Sequence, residues 1–210
     1  MTLETWLAFF VASWLISASP GAGAISAMAA ASRFGLARAM ANIGGLIAGI
    51  LFVLTIVAAG LGALLAASAV AFTVVKWLGV AYLVWLGVEQ WRAPAFAVDA
   101  DAAAGTLGGT RRQLFVRGFL VNATNPKGIV FMLAVLPQFI DPARPQLVQY
   151  AICGATLAFT DLVVMTGYAA FAAKALRLLR RPHHIRAMNR AFGGLLMTMG
   201  ALLASFKRAA

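Results

Sequence analysis

The sequence has few charged residues, and this scarcity is the first constraint on its fold class. Only 11% of its 210 residues are charged, whereas a water-soluble domain carries about a quarter. Residues of the apolar group AVILMFWYC make up 62% of the chain. The composition therefore excludes a water-soluble globule as the main interpretation and predicts an integral membrane protein.

Residues that could support catalysis or hold a cofactor are also scarce. Cys153 is the only cysteine, which excludes a disulfide framework, a dithiol redox pair and a cysteine-based zinc site. The two histidines, His183 and His184, are neighbours in one loop, so they cannot supply separate members of a triad or ligand set. The sequence has no nucleotide-binding loop of the GxxxxGK[ST] type. We therefore expect no enzyme activity, no cofactor and no metal site, and any transport would be driven by an ion gradient or by exchange.

Six apolar stretches are long enough to cross a bilayer as helices. A helix of roughly 20 residues, rising 1.5 Å per residue, covers a hydrocarbon core of about 30 Å. The stretches are rich in Leu, Ala, Val and Gly without an alternating polar pattern, so helices are predicted rather than barrel strands. The predicted spans are residues 3–30, 39–67, 70–88, 114–140, 147–173 and 188–206.

The distribution of basic residues predicts the orientation of these spans. With six spans, twelve basic residues fall on one side of the membrane and three on the other. The twelve are Arg33, Arg38, Arg92, Arg111, Arg112, Arg117, Lys174, Arg177, Arg180, Arg181, Arg186 and Arg190, and the three are Arg144, Lys207 and Arg208. The positive-inside rule places the first side in the cytoplasm and both termini outside it. The net charge of +11 is thus interpreted as a topology signal with some attraction to anionic lipid, and nucleic acid is not expected as a partner.

A low-complexity segment divides the chain into two halves. Residues 93–113 are rich in Ala and Gly and lack a hydrophobic period, which is typical of a flexible linker. We predict a first three-helix repeat in residues 1–92, a cytoplasmic linker in 93–113 and a second repeat in 114–210, together forming one transmembrane domain. An odd number of spans per half makes the second half enter the membrane from the opposite side, so the fold is predicted to be an all-α, inverted 3+3 repeat.

Proline interrupts the first and fourth predicted spans near their middles, at corresponding positions of the two halves. Pro20 is followed by Gly21 and Gly23, and Pro126 lies in the polar segment 122–127. Proline removes a backbone donor and clashes with the carbonyl four residues back, so helices 1 and 4 are predicted to break at Pro20 and Pro126. The alternative for a single break is an ordinary packing kink, but paired breaks favour a transporter site.

Two charged residues lie near the middles of predicted spans, Lys127 in the fourth and Asp161 in the fifth. A charge there costs roughly 2.5–3.5 kcal/mol on insertion scales, so both are candidate functional residues. Lys127 is predicted to pair with a substrate carboxylate or with Asp161, and Asp161 to be a proton or cation site. The alternative is a Lys127–Asp161 pair that only fixes helix order. Gly45 and Gly49 in the second span predict a packing face, while Asn42 beside them either lines a cavity or serves packing.

Several segments resemble the LysE/RhtB family of amino-acid exporters. They are SPGAGAISAM in the first span, VKWLGVAYLVWLGVEQWRA in the third and VNATNPKGIVFMLAVLPQFI in the fourth. The resemblance implies export of homoserine, its lactone and threonine across the bacterial inner membrane, driven by proton entry. The family often has a second proline two residues after the first, where this chain has Ala22, so we expect the first break to be less rigid.

The resemblance also implies a midplane pocket between the two halves. Segments 19–23 and 122–127 would hold the amino-acid carboxylate, and Asp161 would hold the ammonium group or carry the coupling proton. The candidate substrate-binding or coupling residues are Ser19, Pro20, Gly21, Gly23, Asn42, Asn122, Asn125, Pro126, Lys127 and Asp161. Alternatives are export of a basic or branched-chain amino acid, and a membrane structural or assembly protein without a transported substrate. The expected partners are a small amino acid, protons and the lipid bilayer, and a homodimer is compatible with the sequence.

Overall fold

A computed structural model describes residues 1–67, 69–93, 109–172 and 182–205. Within these ranges the chain forms eight α-helices and no strand, in agreement with the predicted all-α class. Parts of three predictions lie outside the described residues. These are most of the linker (94–108), the basic residues Lys174, Arg177, Arg180 and Arg181, and the C-terminal residues Lys207 and Arg208. The predicted orientation of the termini therefore stays a prediction.

The helices follow one another in the order of the predicted spans. In chain order they are α1 (Leu3–Ala18), α2 (Ala22–Phe34), α3 (Leu36–Ala67), α4 (Ala69–Arg92), α5 (Arg111–Ala123), α6 (Pro126–Val130), α7 (Gln146–Ala170) and α8 (Pro182–Ser205). A π-helical turn (Phe131–Val135) and a 3-10 turn (Leu136–Phe139) continue α6 towards α7.

Helix α5 begins within the last residues of the predicted linker. Residues 111–113 are helical, because Thr110 and Gln113 form a capping box. The Thr110 hydroxyl accepts from the Gln113 N–H at 3.2 Å, and the Gln113 side chain accepts from the Thr110 N–H at 3.2 Å. This reciprocal arrangement satisfies two otherwise unpaired donors and starts the helix three residues before the predicted linker ends.

Two helices are long and apolar enough to cross a membrane, α3 over Leu36–Gly60 and α7 over Gln146–Ala170. The number rises to four if each of two bent segments counts as one span. These are α1 with α2, bent by 56°, and α5 with residues 126–139, bent by 51°. This count, taken over the described residues, is smaller than the six predicted spans, so the six-span organisation stays a prediction. The helices α4 and α8 each have 24 residues.

The first bent segment changes direction at residues 19–21. The Ser19 N–H still donates to the Leu15 carbonyl at 3.1 Å, which completes the last turn of α1. Pro20 has no N–H to continue the ladder, and α2 starts only at Ala22. The backbone N–H groups that open α2 are consequently displaced from the carbonyls that close α1.

The second bent segment restarts at Pro126. Asn125 is the N-cap of α6, and its side-chain oxygen accepts from the Lys127 N–H at 3.1 Å. Pro126 occupies the first helical position, where the missing N–H would have had no intrahelical partner. The Asn-Pro pair is thus locally suited to begin a helix after an interruption.

Glycines allow α3 and α5 to approach until their backbones touch. A Cβ at Gly45 would collide with the Phe115 carbonyl, and a Cβ at Gly118 with the Asn42 carbonyl. Small residues permit such close helix packing in membranes. The packing role predicted for Gly45 and its neighbour Gly49 is confirmed, because a Cβ at Gly49 would likewise meet the Phe119 carbonyl.

A second glycine crossing joins α4 to α8. A Cβ at Gly87 would meet the Gly193 carbonyl, and a Cβ at Gly193 would meet the Gly87 carbonyl. The contact is therefore reciprocal, with each glycine receiving the backbone of the other. The helices of the first bent segment, α1 and α2, pack mainly on α7 and α3, and α5 of the second bent segment also packs on α3. Helix α3 therefore contacts both bent segments.

Candidate functional site

A cavity lined by both apolar and polar side chains lies where the two bent segments meet α3 and α7. Its volume is about 50 Å³, which is room for a few water molecules. Seven of the ten predicted site residues line it, and they come from four helices and the two interruptions. They are Ser19, Gly21, Gly23, Asn122, Asn125, Lys127 and Asp161.

Three predicted site residues do not line the cavity. Pro20 and Pro126 lie at the interruptions beside the cavity, outside its lining. Asn42 is fully buried, donates to the Leu114 carbonyl at 3.1 Å and accepts from the Ser26 hydroxyl at 3.2 Å. Its amide therefore joins α2, α3 and α5, and of the two interpretations of Asn42 its contacts favour helix packing.

Lys127 reaches from the second interruption to the first. Its ammonium donates to the Ser19 carbonyl at 2.7 Å. In a continuous helix that carbonyl would accept from the N–H four residues later, at Gly23, but the bend at residues 19–21 separates the two groups. The charge of Lys127 is thus placed on a backbone oxygen that the interruption has freed.

Asp161 lies in the other half of the chain from the first interruption, but it contacts the last turn of α1, directly before that interruption. It is buried in α7, and its Oδ1 accepts from the Ser17 hydroxyl at 2.5 Å. The Ser17 oxygen is also 3.3 Å from the Thr160 hydroxyl oxygen. Among the described residues, Lys127 and Asp161 form no ion pair, whereas Arg144 and Asp141 form one. Of the two partners predicted for Lys127, the structure does not show Asp161, because each charged group is hydrogen-bonded to an uncharged partner instead. Pairing with a substrate carboxylate stays a prediction.

Two amides hold the second interruption against α3. The Asn122 side chain donates to the Leu46 carbonyl at 2.8 Å, and the Asn125 amide nitrogen lies 3.5 Å from the Asn122 side-chain oxygen. Asn122 is buried, whereas Asn125 is partly exposed towards the cavity. These amides fix the backbone from which Lys127 extends.

Sequence reasoning missed two residues at the end of α1: Ser17, which belongs to that helix, and Tyr168, which contacts it from α7. Ser17 binds Asp161, and the Tyr168 hydroxyl donates to the Ala18 carbonyl at 2.8 Å. A weak signal for Tyr168 was available, because it follows Asp161 by seven residues and so lies two turns further along the same helix face. Ser17 carried only the signal of a hydroxyl close to Ser19 in an apolar run.

The cavity combines one cationic and one anionic group with hydroxyl and amide groups. A buried charge is costly unless it is paired or hydrogen-bonded, and here the partners are neutral. Both charges therefore remain available to a ligand that carries the complementary groups. A zwitterionic amino acid has a carboxylate for the ammonium of Lys127 and an ammonium for the carboxylate of Asp161.

Comparison with known proteins finds relatives that match either the whole chain or a large part of it. The homoserine/homoserine lactone efflux protein of Salmonella typhimurium is 47% identical over 209 residues, which cover 100% of both chains. An uncharacterized membrane protein of Vibrio cholerae is 39% identical over 207 residues, 99% of this chain and 100% of the relative. The leucine efflux protein of Enterobacter sp. (strain 638) is 29% identical over 150 residues, 70% of each chain. No solved structure matches the chain.

The family match agrees with the apolar helices described above. The model of the LysE type translocator family covers residues 14–206, which include both interruptions, Lys127 and Asp161. The relatives and the long apolar helices together identify a membrane-embedded protein. The resemblance recognised in the sequence is thereby confirmed, and the chain belongs to the LysE type translocator family.

Proposed function

We propose that the protein is a secondary active exporter of small neutral amino acids in the bacterial cytoplasmic membrane. The observation that carries the proposal is a single cavity lined by both the Lys127 ammonium and the Asp161 carboxylate. Those two charges complement the two charges of a zwitterionic amino acid. Because full-length relatives are named homoserine/homoserine lactone efflux proteins, the proposed substrates are homoserine and its lactone. Threonine is proposed as a third substrate because it is a constitutional isomer of homoserine.

The walls of the cavity favour a small side chain. A Cβ at Gly23 would already lie 3.5 Å from a Leu46 methyl group, and the volume of about 50 Å³ must widen even for a small amino acid. The two interruptions give the backbone a place to bend for this purpose. A lysine or arginine side chain would need a second acid, and among the described lining residues Asp161 is the one acidic group.

The proposed coupling is proton antiport, because the Asp161 carboxylate can bind either the substrate ammonium or a proton. Asp161 binds the substrate ammonium when it is ionised, and it cannot do so when it is protonated. A proton arriving from the outside would therefore displace the substrate, and its release to the cytoplasm would restore the site. Mutually exclusive binding at one group couples the two movements in opposite directions.

The helix contacts support an inverted 3+3 repeat. Exchange of the two halves converts the contact of α3 with α5 into that of α7 with α1, and both contacts are present. Gly87 and Gly193 are equivalent when Pro20 is aligned with Pro126. Their reciprocal contact is the arrangement expected where a two-fold axis passes between equivalent residues.

The test is counterflow of labelled substrate in proteoliposomes, with homoserine compared with its lactone. The lactone keeps the ammonium group but has no free carboxylate. Lys127→Ala is expected to lower homoserine transport at least about tenfold, the loss of a charge-assisted hydrogen bond, and to affect the lactone much less. Asp161→Asn is expected to abolish transport of both compounds and their response to a pH gradient.

Two results would overturn the proposal. One is unchanged homoserine transport in Asp161→Asn at equal protein density in the vesicles. The other is wild-type protein that moves none of homoserine, its lactone and threonine. Transport of leucine or lysine in their place would instead favour one of the alternative substrate classes.

A further inference from the structure

The end of α1 is held by two side chains from the second half of the chain. The Tyr168 hydroxyl donates to the Ala18 carbonyl at 2.8 Å, and the Lys127 ammonium donates to the Ser19 carbonyl at 2.7 Å. These are consecutive carbonyls at the first interruption. In a continuous helix they would accept from the N–H groups of residues 22 and 23, so each side chain replaces a backbone donor.

Both replacements matter because the interruption lies among apolar helices. A buried backbone carbonyl without a partner carries a free-energy cost similar to that of a lost hydrogen bond. The geometry of residues 19–21 therefore depends on Tyr168 and Lys127 together. If one donor leaves, the other remains as the side-chain donor to this pair of carbonyls.

Only one of the two donors has a reason to leave. Lys127 lines the cavity and carries the charge that a substrate carboxylate would bind, so the carboxylate competes with the Ser19 carbonyl for the ammonium. Tyr168 is not among the lining residues, and its neutral hydroxyl gains less from an anion. The Ala18 contact is consequently the one that can persist while substrate is bound.

Tyr168 and Asp161 both lie on α7, and both contact the end of α1. Asp161 binds Ser17 and Tyr168 binds Ala18, so α7 contacts two consecutive residues at the end of α1. One contact involves the carboxylate that is proposed to exchange a proton for the substrate ammonium. The other involves a hydroxyl that takes no part in that exchange.

We propose that Tyr168 is a positioning residue that keeps the interruption between α1 and α2 in its binding geometry while Lys127 moves from Ser19 to the substrate carboxylate. The role in substrate binding rests on the proposed export function. The hydrogen bond from the Tyr168 hydroxyl to the Ala18 carbonyl is independent of that function.

The experiment compares Tyr168→Phe with Tyr150→Phe, which removes a hydroxyl from a buried tyrosine of the same helix outside the cavity. Hydrogen–deuterium exchange in lipid nanodiscs reports on the peptide covering residues 15–26. Loss of one hydrogen bond is expected to speed exchange there about fivefold in Tyr168→Phe, with no change in the control. In proteoliposomes, Tyr168→Phe is expected to raise the KM for homoserine about fivefold and to change Vmax less than about twofold.

A donor at the same place should reverse both effects. The residue 4-aminophenylalanine at position 168 keeps an N–H at the para position of the ring and is expected to restore slow exchange and the low KM. If Tyr168→Phe cannot be recovered in folded form, 4-aminophenylalanine is compared with 4-methylphenylalanine, which fills the same space without a donor.

Unchanged exchange over residues 15–26 would overturn the inference, whatever the transport assay gives. Faster exchange with an unchanged KM would also overturn it, because the hydroxyl would then support the fold without positioning the site. A wild-type protein that moves no amino acid would overturn the proposed function instead, and the exchange comparison would still decide whether Tyr168 holds the interruption.

Discussion

Each charged side chain of the cavity is hydrogen-bonded to a neutral group. A carbonyl of the first interruption accepts from Lys127, and the hydroxyl of Ser17 donates to Asp161. A direct ion pair would have satisfied both charges internally and left little for a ligand. Neutral partners lower the cost of burial yet leave the net charge in place, which is the condition for binding an ionic substrate.

Substitution of Ser17 tests whether a neutral hydrogen-bond partner keeps the Asp161 carboxylate ready for an ionic substrate. Ser17→Ala removes the donor to Asp161, and we expect homoserine transport to fall about tenfold, since hydrogen bonds to charged groups contribute roughly 1.5–3 kcal/mol. Counterflow in proteoliposomes measures the effect. Ser13→Ala is the matched control, because the hydroxyl of Ser13 is buried like that of Ser17 but donates to the Phe9 carbonyl within α1. Equal transport by the two variants would contradict the role given to Ser17.

The sequence contains enough to predict which residues are exceptional but not which of them meet. Lys127 and Asp161 are conspicuous because charge is rare in apolar spans. The contacts of Ser17 and Tyr168 join residues 144 and 150 positions apart, and hydroxyl groups in apolar helices are too common to reveal such partners. Asn42 stayed undecided for a related reason, because an amide that binds a backbone carbonyl and one that faces a cavity leave the same pattern in the sequence.

At the scale of the helices, two features have different roles: close backbone contact packs helices together, and local interruptions expose polar backbone groups. The crossing of α3 with α5 depends on the absence of side chains at Gly45, Gly49 and Gly118. The interruptions of α1–α2 and α5–α6 place polar backbone groups where continuous helices would have none. The first pattern is readable as small residues four apart. The second is readable as proline in an apolar span, while the bend angles of 56° and 51° depend on tertiary contacts.

Alanine substitutions on α3 test the close crossing. In Gly45→Ala the new methyl group would overlap the Phe115 carbonyl, and we expect a destabilisation of about 1–3 kcal/mol from overpacking. Gly60→Ala on the same helix is the control, because no neighbouring atom of the described residues, apart from the backbone of its own helix, lies within 4 Å of its Cβ position and alanine favours the helix. Thermal unfolding in detergent should show a lower midpoint for Gly45→Ala and an equal or higher one for Gly60→Ala.

For the whole molecule, the predicted orientation determines which surface a reagent can reach. Ala143 lies in the exposed loop between residues 140 and 146, which is predicted to face outside, and Ser32 lies near the end of α2 on the predicted cytoplasmic side. Cys153 is fully buried, so the unmodified protein gives the background of a thiol-labelling experiment. A membrane-impermeant maleimide should label Ala143→Cys in intact cells and Ser32→Cys only after permeabilisation. The reverse pattern would contradict the orientation.

The reciprocal contact of Gly87 with Gly193 has a mechanical consequence for such a transporter. Suppose that the two halves exchange conformations between the inward- and outward-facing states. A contact away from the two-fold axis would then be replaced by its counterpart in the other half, whereas a contact on the axis would be the same in both states. The crossing of α4 with α8 would then be the fulcrum of the movement. A covalent cross-link at this crossing should leave transport intact, while one between α1 and α7 should arrest it.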